Sequence, residues 1–191
     1  EIQKSADSQH APAMVDYLYK RLQRRGYTER DARRMVNQER NVFSALLVAL
    51  GHADGMISGL TRTYAQTVRE VNLVLDKTQD ALPFGIHMMI GKNHTTFLAD
   101  TTINERPSAF ELAYIAKETA AVARRMGHEP RVAFLSYSTF GNPSGQWLAN
   151  IRDAVAILDS EDPGFEYEGE MAPVAALNPA VMKLYPFSRL S

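Results

Sequence analysis

The chain has 191 residues, of which 45% are hydrophobic and 23% charged, and its formal net charge is −1. Such a balance suits a folded protein with a sizeable core and excludes a disordered chain. It also argues against a broad nucleic-acid surface, so no nucleic-acid partner is expected. No apolar run approaches the roughly 18 residues that a spanning helix needs. Residues 1–10 lack the basic-then-apolar order of a signal peptide. We therefore expect no membrane partner and a cytoplasmic location. The absence of cysteine removes disulfides, thiolate metal sites and cysteine nucleophiles together, leaving oxygen and nitrogen chemistry.

The chain opens with a helical hairpin. Met14, Tyr17, Leu18 and Leu22 share one helical face, Gly26 stops the first helix, and Thr28 with Asp31 opens the second by a capping pattern. The second helix is predicted to run through Met35 to Leu50, bent near Asn37 and ended by Gly51. The dense basic run from Lys20 to Arg34 is interleaved with apolar residues at helical spacing, which marks a solvated helix face. Residues 53–58 form a short apolar run consistent with a buried strand, and a helix is expected from about Thr61, with Tyr64, Thr67, Val68, Val71 and Leu75 on one face.

Residues 84–90 and 95–99 flank the polar link Gly91 to His94 and predict an antiparallel hairpin. Ser108 and Glu111 make a capping box, after which apolar residues recur at 3.6 spacing until Gly127. A strand is expected over 131–136, a helix whose face carries Trp147, Ile151, Ala154, Val155 and Leu158, another strand over 165–169, and a short helix begun by Asn178 and Pro179. Short apolar runs alternating with amphipathic helices imply an α/β fold. We expect a three-layer α/β/α sandwich with a mixed sheet, preceded by a helical segment. The division expected is a helical leading segment over 1–51 and an α/β core over 52–191, with the polar stretch from Asp76 to Pro83 as a further plausible boundary.

Nucleophile, phosphate-loop and zinc templates are missing, and the five histidines (His10, His52, His87, His94, His128) have no ligand spacing. No catalytic or metal-ligating residue is therefore assigned. Glu166, Glu168 and Glu170 alternate along a predicted strand, which places all three on one face, and a solvated face is the simpler reading than acid–base work. Three polar junctions remain. Ser58-Gly59 leads into a helix whose backbone N–H groups suit an anion, with Arg69 two turns on as charge partner; an ordinary strand-to-helix turn is the alternative. The run from Ser136 to Gly141 presents hydroxyls that can donate to phosphoryl or carbonyl oxygens, or can simply form a polar loop. Asp100 to Asn104 closes the hairpin, and Asp100 is as well suited to accept loop N–H groups as to serve a ligand.

Four ordered strings carry a resemblance. HADGMISG at 52–59, FLADTTIN at 97–104, EPRVAFLSYSTFG at 129–141, and YEGEM at 167–171 followed by ALNP at 176–179 resemble, in order and spacing, the signature blocks of the phosphate acetyl/butyryltransferase family. The similarity runs from about Tyr17 to the last residue. GLTRTY at 59–64, ARRMG at 123–127, STFG at 138–141 and LYPFSRL at 184–190 look most like the subgroup fused to bacterial NADP-dependent malic enzymes. Free-standing phosphotransacetylases usually carry A-x-H-[ST] after the serine–glycine, where this chain has Leu60 to Thr63.

The resemblance implies a module that binds acetyl-CoA, as effector or as substrate. Ser58, Gly59, Arg62, Thr63, Arg69, Ser136, Ser138 and Thr139 are the effector-binding residues expected; of these, Arg69 matches by position the arginine that the family carries in the helix after the serine–glycine, and Ser138 and Thr139 match its hydroxyl loop. The resemblance implies Arg69, and Arg62 with it, on the CoA phosphates, and the hydroxyl loop at the acyl end. NADP and a divalent metal belong to the absent malic-enzyme part, so no cofactor is assigned here. A serine–arginine motif followed by an aspartate lies nearer the family's C-terminus than Ser191, so the resemblance implies a core that is incomplete there, and Thr101 stands where the family has a cysteine.

The main reading is thus a regulatory domain of a multidomain NADP-dependent malic enzyme that binds an acyl-CoA and supports a homo-oligomer. A truncated phosphate acetyltransferase, moving acetyl between CoA and phosphate, and a purely structural dimerisation domain are the alternatives.

Overall fold

The computed structural model describes residues 8–79, 81–92 and 94–190. The chain divides into two compact units, Glu1–Asp80 and Ala81–Ser191. That division falls inside the polar stretch from Asp76 to Pro83.

The first unit is helical. Helix α1 (Ala11–Leu22) runs into a 3₁₀ turn at Gln23–Arg25, which Gly26 ends with φ +86°, a conformation in which a side chain would be strained. Helix α2 (Glu29–Gln38) then starts with the expected capping box: the Thr28 hydroxyl accepts from the Asp31 N–H, and the Asp31 carboxylate accepts from the Thr28 N–H at 2.9 Å. The single bent helix expected next is in fact two. Glu39 adopts an extended backbone (φ −101°, ψ 102°) between α2 and α3 (Arg40–Ala49), and Gly51 takes φ +74° beyond it. The break costs no hydrogen bond at the seam, since the Glu39 N–H donates to the Met35 carbonyl and its own carbonyl accepts from Phe43. Helix α4 (Tyr64–Asn72) completes the unit.

Met14, Leu18, Leu22, Ala32, Val36, Val42, Leu46 and Val74 are sealed from solvent in one core. Each buried leucine there stabilises the fold by about 1.5–3 kcal/mol. Arg21 ties the segment after α4 back to α1. Its guanidinium donates to the Leu73 carbonyl at 2.9 Å and grips both carboxylate oxygens of Asp76.

The strand expected at 53–58 is not formed. These residues are irregular, and Ile57 is fully exposed. No other described segment of this unit is a strand, so residues 53–58 have no ladder to join. The following helix begins at Tyr64 rather than near Thr61, because Leu60 lies at φ +64°, outside helical space, and Thr63 serves as N-cap, its hydroxyl accepting from the Gln66 N–H at 3.3 Å.

The second unit is α/β. Strands β1 (Ile86–Ile90) and β2 (Thr95–Ala99) form the expected antiparallel hairpin, Ile86 opposite Ala99 and Ile90 opposite Thr95. Asn93, in its link, lies outside the described residues. Helix α5 (Ala109–Arg125) carries the expected capping box, with the Ser108 N–H donating to Glu111 at 2.8 Å. Strand β3 (Arg131–Leu135), helix α6 (Leu148–Glu161) and strand β4 (Glu166–Met171) make a βαβ unit with β3 and β4 parallel. Two short helices follow, α7 (Pro173–Leu177) and α8 (Pro179–Met182), and the Asn178 side chain caps the second by accepting from Ala180.

The α/β class expected from the sequence holds, with strands paired in both senses. Among the described residues they form two two-stranded sheets, β1–β2 and β3–β4. Alanines at 113 and 116 let α5 approach α6 closely, and Phe134, Ala154, Val155 and Leu158 fill the space between. A second cluster joins Met171, Ala175 and Leu190.

Candidate functional site

In the first unit, Ser58 and Gly59 are not at a helix N-terminus, since Thr63 holds that place. The loop containing them is instead moored from below. The Ser58 hydroxyl donates to the Asn41 side-chain oxygen, and the Asn41 amide donates to Glu70 at 2.8 Å. Gln66 donates to the other Glu70 oxygen at 2.7 Å. Asn41 and Glu70 are both buried, 5% and 6% exposed. A buried carboxylate held by neutral amides is satisfied without a cation.

The two arginines differ. Arg62 pairs with Glu39 at 3.4 Å. Arg69 is exposed on α4, one residue from Glu70, and makes no ion pair or side-chain hydrogen bond among the described residues. Its positive charge is therefore available to an anion. Gly59 (φ +153°) and Leu60 (φ +64°) shape a fully exposed turn whose conformation disfavours an ordinary side chain at both positions.

In the second unit, the loop after β3 turns its hydroxyls inward. The Ser136 hydroxyl donates to the Ser138 carbonyl at 3.0 Å and accepts from the Ser138 N–H at 2.8 Å. Thr139 accepts from the Ala172 N–H at 3.0 Å. Ser138 is completely buried and its hydroxyl donates to Glu170 at 3.4 Å. The same Glu170 oxygen accepts from the Gly141 N–H at 2.7 Å and faces the Arg152 guanidinium at 3.4 Å.

The expectation that Glu166, Glu168 and Glu170 share one solvated face is therefore corrected. Glu166 is exposed and pairs with Arg131 at 2.7 Å, but Glu168 and Glu170 are 8% and 1% exposed. The register slips between Phe134 and Leu135, which leaves Glu170 outside the ladder and free to reach the loop. Glu168 accepts from the Arg189 N–H at 3.1 Å, fixing the C-terminal segment. Asn41, Glu70 and Arg152 are the functional-site candidates that sequence reasoning missed. Asn41 had a signal: a polar residue one helical turn before Ala45, on a buried face. Glu170 was read in the strand alternation, but the loop that encloses it is a tertiary contact that alternation does not record.

At the end of β2, Asp100 organises its loop. Its carboxylate accepts from the backbone N–H groups of Gly85, Thr102, Ile103 and Asn104 at 2.6–3.2 Å, and from the Asn104 side chain at 2.7 Å. Burial by itself would raise its pKa, but the N–H groups of Thr102, Gly85, Asn104 and Ile103 more than reverse this, leaving it at about 2. The loop closes so tightly that a Cβ on Gly85 would fall 2.5 Å from the Thr102 hydroxyl. No group of three or more acidic or histidine side chains among the described residues is arranged to hold a metal ion. No described helix is long and apolar enough to cross a membrane.

Ser58, Gly59, Arg62, Thr63 and Arg69 thus belong to the first unit, and Ser136, Ser138 and Thr139 to the second. In the second unit, polar loops leave the carboxyl ends of β2 and β3, the place at which open α/β sheets take ligands, and define an α/β module. The comparison with known proteins narrows this. The chain belongs to the phosphate acetyl/butaryl transferase family, whose sequence model matches residues 1–191. It is 47% identical to an NADP-dependent malic enzyme of Rhizobium meliloti over 96% of this chain and 24% of that protein. It is 41% identical to a probable NADP-dependent malic enzyme of Rickettsia prowazekii, over 100% of this chain and 26% of that protein. Among solved structures, a phosphotransacetylase from Streptococcus pyogenes superposes with a TM-score of 0.81 at 29% identity, covering 98% of this chain and 57% of that one. The chain therefore spans about a quarter of the length of the malic enzymes that it matches.

Proposed function

We propose that this chain is the phosphotransacetylase-like regulatory part of a multidomain, cytoplasmic NADP-dependent malic enzyme, binding acetyl-CoA as an effector and supporting oligomerisation. The observation that carries the reading is the 47% identity over almost the whole chain to a malic enzyme of which that match makes up only 24%. NADP and a divalent metal would belong to the remainder of such a protein. The geometry is in keeping with binding rather than chemistry: the hydroxyls of Ser136, Ser138 and Thr139 are engaged within the chain, while Arg69 is exposed and unpaired among the described residues. An effector of this kind shifts an enzyme between states only by its differential affinity for them.

Calorimetric titration with acetyl-CoA, with free CoA as comparison, tests the reading. Saturable binding is expected. Arg69→Ala should weaken it by about 1.5–3 kcal/mol, the worth of a hydrogen bond to a charged group, with thermal stability unchanged. Unaltered affinity in that variant would remove Arg69 from the site. Likeness to the Streptococcus pyogenes phosphotransacetylase favours a second reading, acetyl transfer between CoA and phosphate. Phosphate-dependent formation of acetyl phosphate by the complete protein would establish it.

A further inference from the structure

Two loops leave the carboxyl ends of strands in the second unit, residues 100–108 after β2 and residues 136–147 after β3. They finish side by side where α5 and α6 begin: the Asn150 side-chain amide donates to the Pro107 carbonyl at 3.5 Å. Near the end of each loop one side chain meets the other. The Arg106 guanidinium lies over the Trp147 ring, 4.7 Å from its centroid.

Neither is part of a core. Trp147 is 61% exposed, and Arg106 is exposed with no ion pair among the described residues, Glu105 beside it included. A cation–π contact alone would make this an ordinary surface pair. The loop adds a second aromatic ring, however. Tyr137 is also 61% exposed, and its hydroxyl rests on Gly145, where a Cβ would collide with it. The loop is therefore folded back on itself with two exposed aromatic side chains, Trp147 lying under the Arg106 guanidinium, at the strand ends where open α/β sheets take ligands. The guanidinium lies over the indole, and the 61% exposure of Trp147 leaves ring surface for a flat ligand ring. A purine stacks on such a face, and its attached phosphates meet the arginine charge.

We propose that Arg106 and Trp147 form a purine-binding platform, the indole stacking on the base and the guanidinium holding a phosphate of the same nucleotide. The proposal rests on the acyl-CoA reading and concerns the adenosine end of that ligand. Sequence patterns single out no residue for the base.

Trp147 is the only tryptophan in the chain, so its fluorescence reports on this position alone. The probes are adenosine 3′,5′-bisphosphate, acetyl-CoA, and pantetheine as a ligand without the base. Saturable quenching by the first two and none by pantetheine is expected. Arg106→Gln should weaken the bisphosphate roughly tenfold, the scale of one lost charge-assisted contact. Trp147→Leu should weaken acetyl-CoA, measured calorimetrically, by a similar factor, with far-UV circular dichroism confirming that each variant is folded. Acetyl-CoA binding that leaves the fluorescence untouched, and is equally tight in both variants, overturns the platform while the effector reading stands. Quenching by the bisphosphate with no acetyl-CoA binding supports the platform and overturns the effector reading. Absence of quenching by every adenine probe overturns the platform.

Discussion

Glu170 is the side chain on which the hydroxyl loop hangs, and its removal should be felt as lost stability. In Glu170→Ala, the Gly141 N–H and the buried Ser138 hydroxyl lose their acceptor together. The Ser138 hydroxyl is fully buried, and a buried donor left unsatisfied costs about 1–3 kcal/mol, while the Gly141 N–H, on an exposed residue, adds less. Against this stands relief of a desolvated carboxylate whose cation, Arg152, is half-exposed and 3.4 Å away, a pairing that only partly offsets burial. The two donors should outweigh that relief, because one bond is short at 2.7 Å and comes from a backbone group with no alternative partner among the described residues. The expected net loss is about 2–3 kcal/mol. Glu170→Gln keeps an oxygen for Gly141 and should lose about half as much. Urea unfolding followed by far-UV circular dichroism measures both, and amide exchange at Gly141 localises the effect. An alanine variant within about 0.5 kcal/mol of the parent, the scale of a neutral surface change, would refute the assignment of Glu170 as the loop's anchor. A glutamine variant more stable than the parent would show that the charge itself is a net cost.

Other outcomes follow from the same geometry. Because the folded pKa of Asp100, about 2, lies below the ordinary carboxylate value of 3.8, its contribution is complete above pH 3.8 and is lost as pH falls towards 2. That contribution is about 2 kcal/mol, and Asp100→Asn should flatten the acid limb of a stability-versus-pH curve between those values. Gly169→Ala would bring a Cβ to 2.6 Å from the Phe134 Cβ and 3.0 Å from its carbonyl oxygen; an overpacking cost of about 1–3 kcal/mol is expected and should appear as a lower melting temperature. Ser108→Ala removes the cap of α5 and should cost about 1 kcal/mol, with amide exchange quickening at the first turn of the helix.

Much of the local structure was legible in the sequence, because its signals act over a few residues. Capping boxes at Thr28/Asp31 and Ser108/Glu111, the glycine stop at Gly26, the hairpin and the Asn178 cap all concern backbone groups whose partners lie within one turn. Family membership was legible for another reason: ordered blocks of residues survive in sequence whatever their side chains contact. The strand assigned to 53–58 failed because an apolar run becomes a strand only when a neighbour offers a ladder, and the first unit has none among the described residues. The division of one long helix at Glu39 turned on a single backbone conformation that helical periodicity does not record.

What the amino-acid order determined by itself, then, was element type, element ends and kinship. Only the tertiary structure decided which charges are buried and which are available. Glu166 and Glu170 are alike in sequence and sit four residues apart on one strand. The loop after β3, folded back onto β4, encloses Glu170, while Glu166 stays in water beside Arg131. Arg62 and Arg69 divide in the same way, one neutralised by Glu39 and the other open to an anion, because a side chain's charge acts on whatever the fold brings within a few ångströms of it.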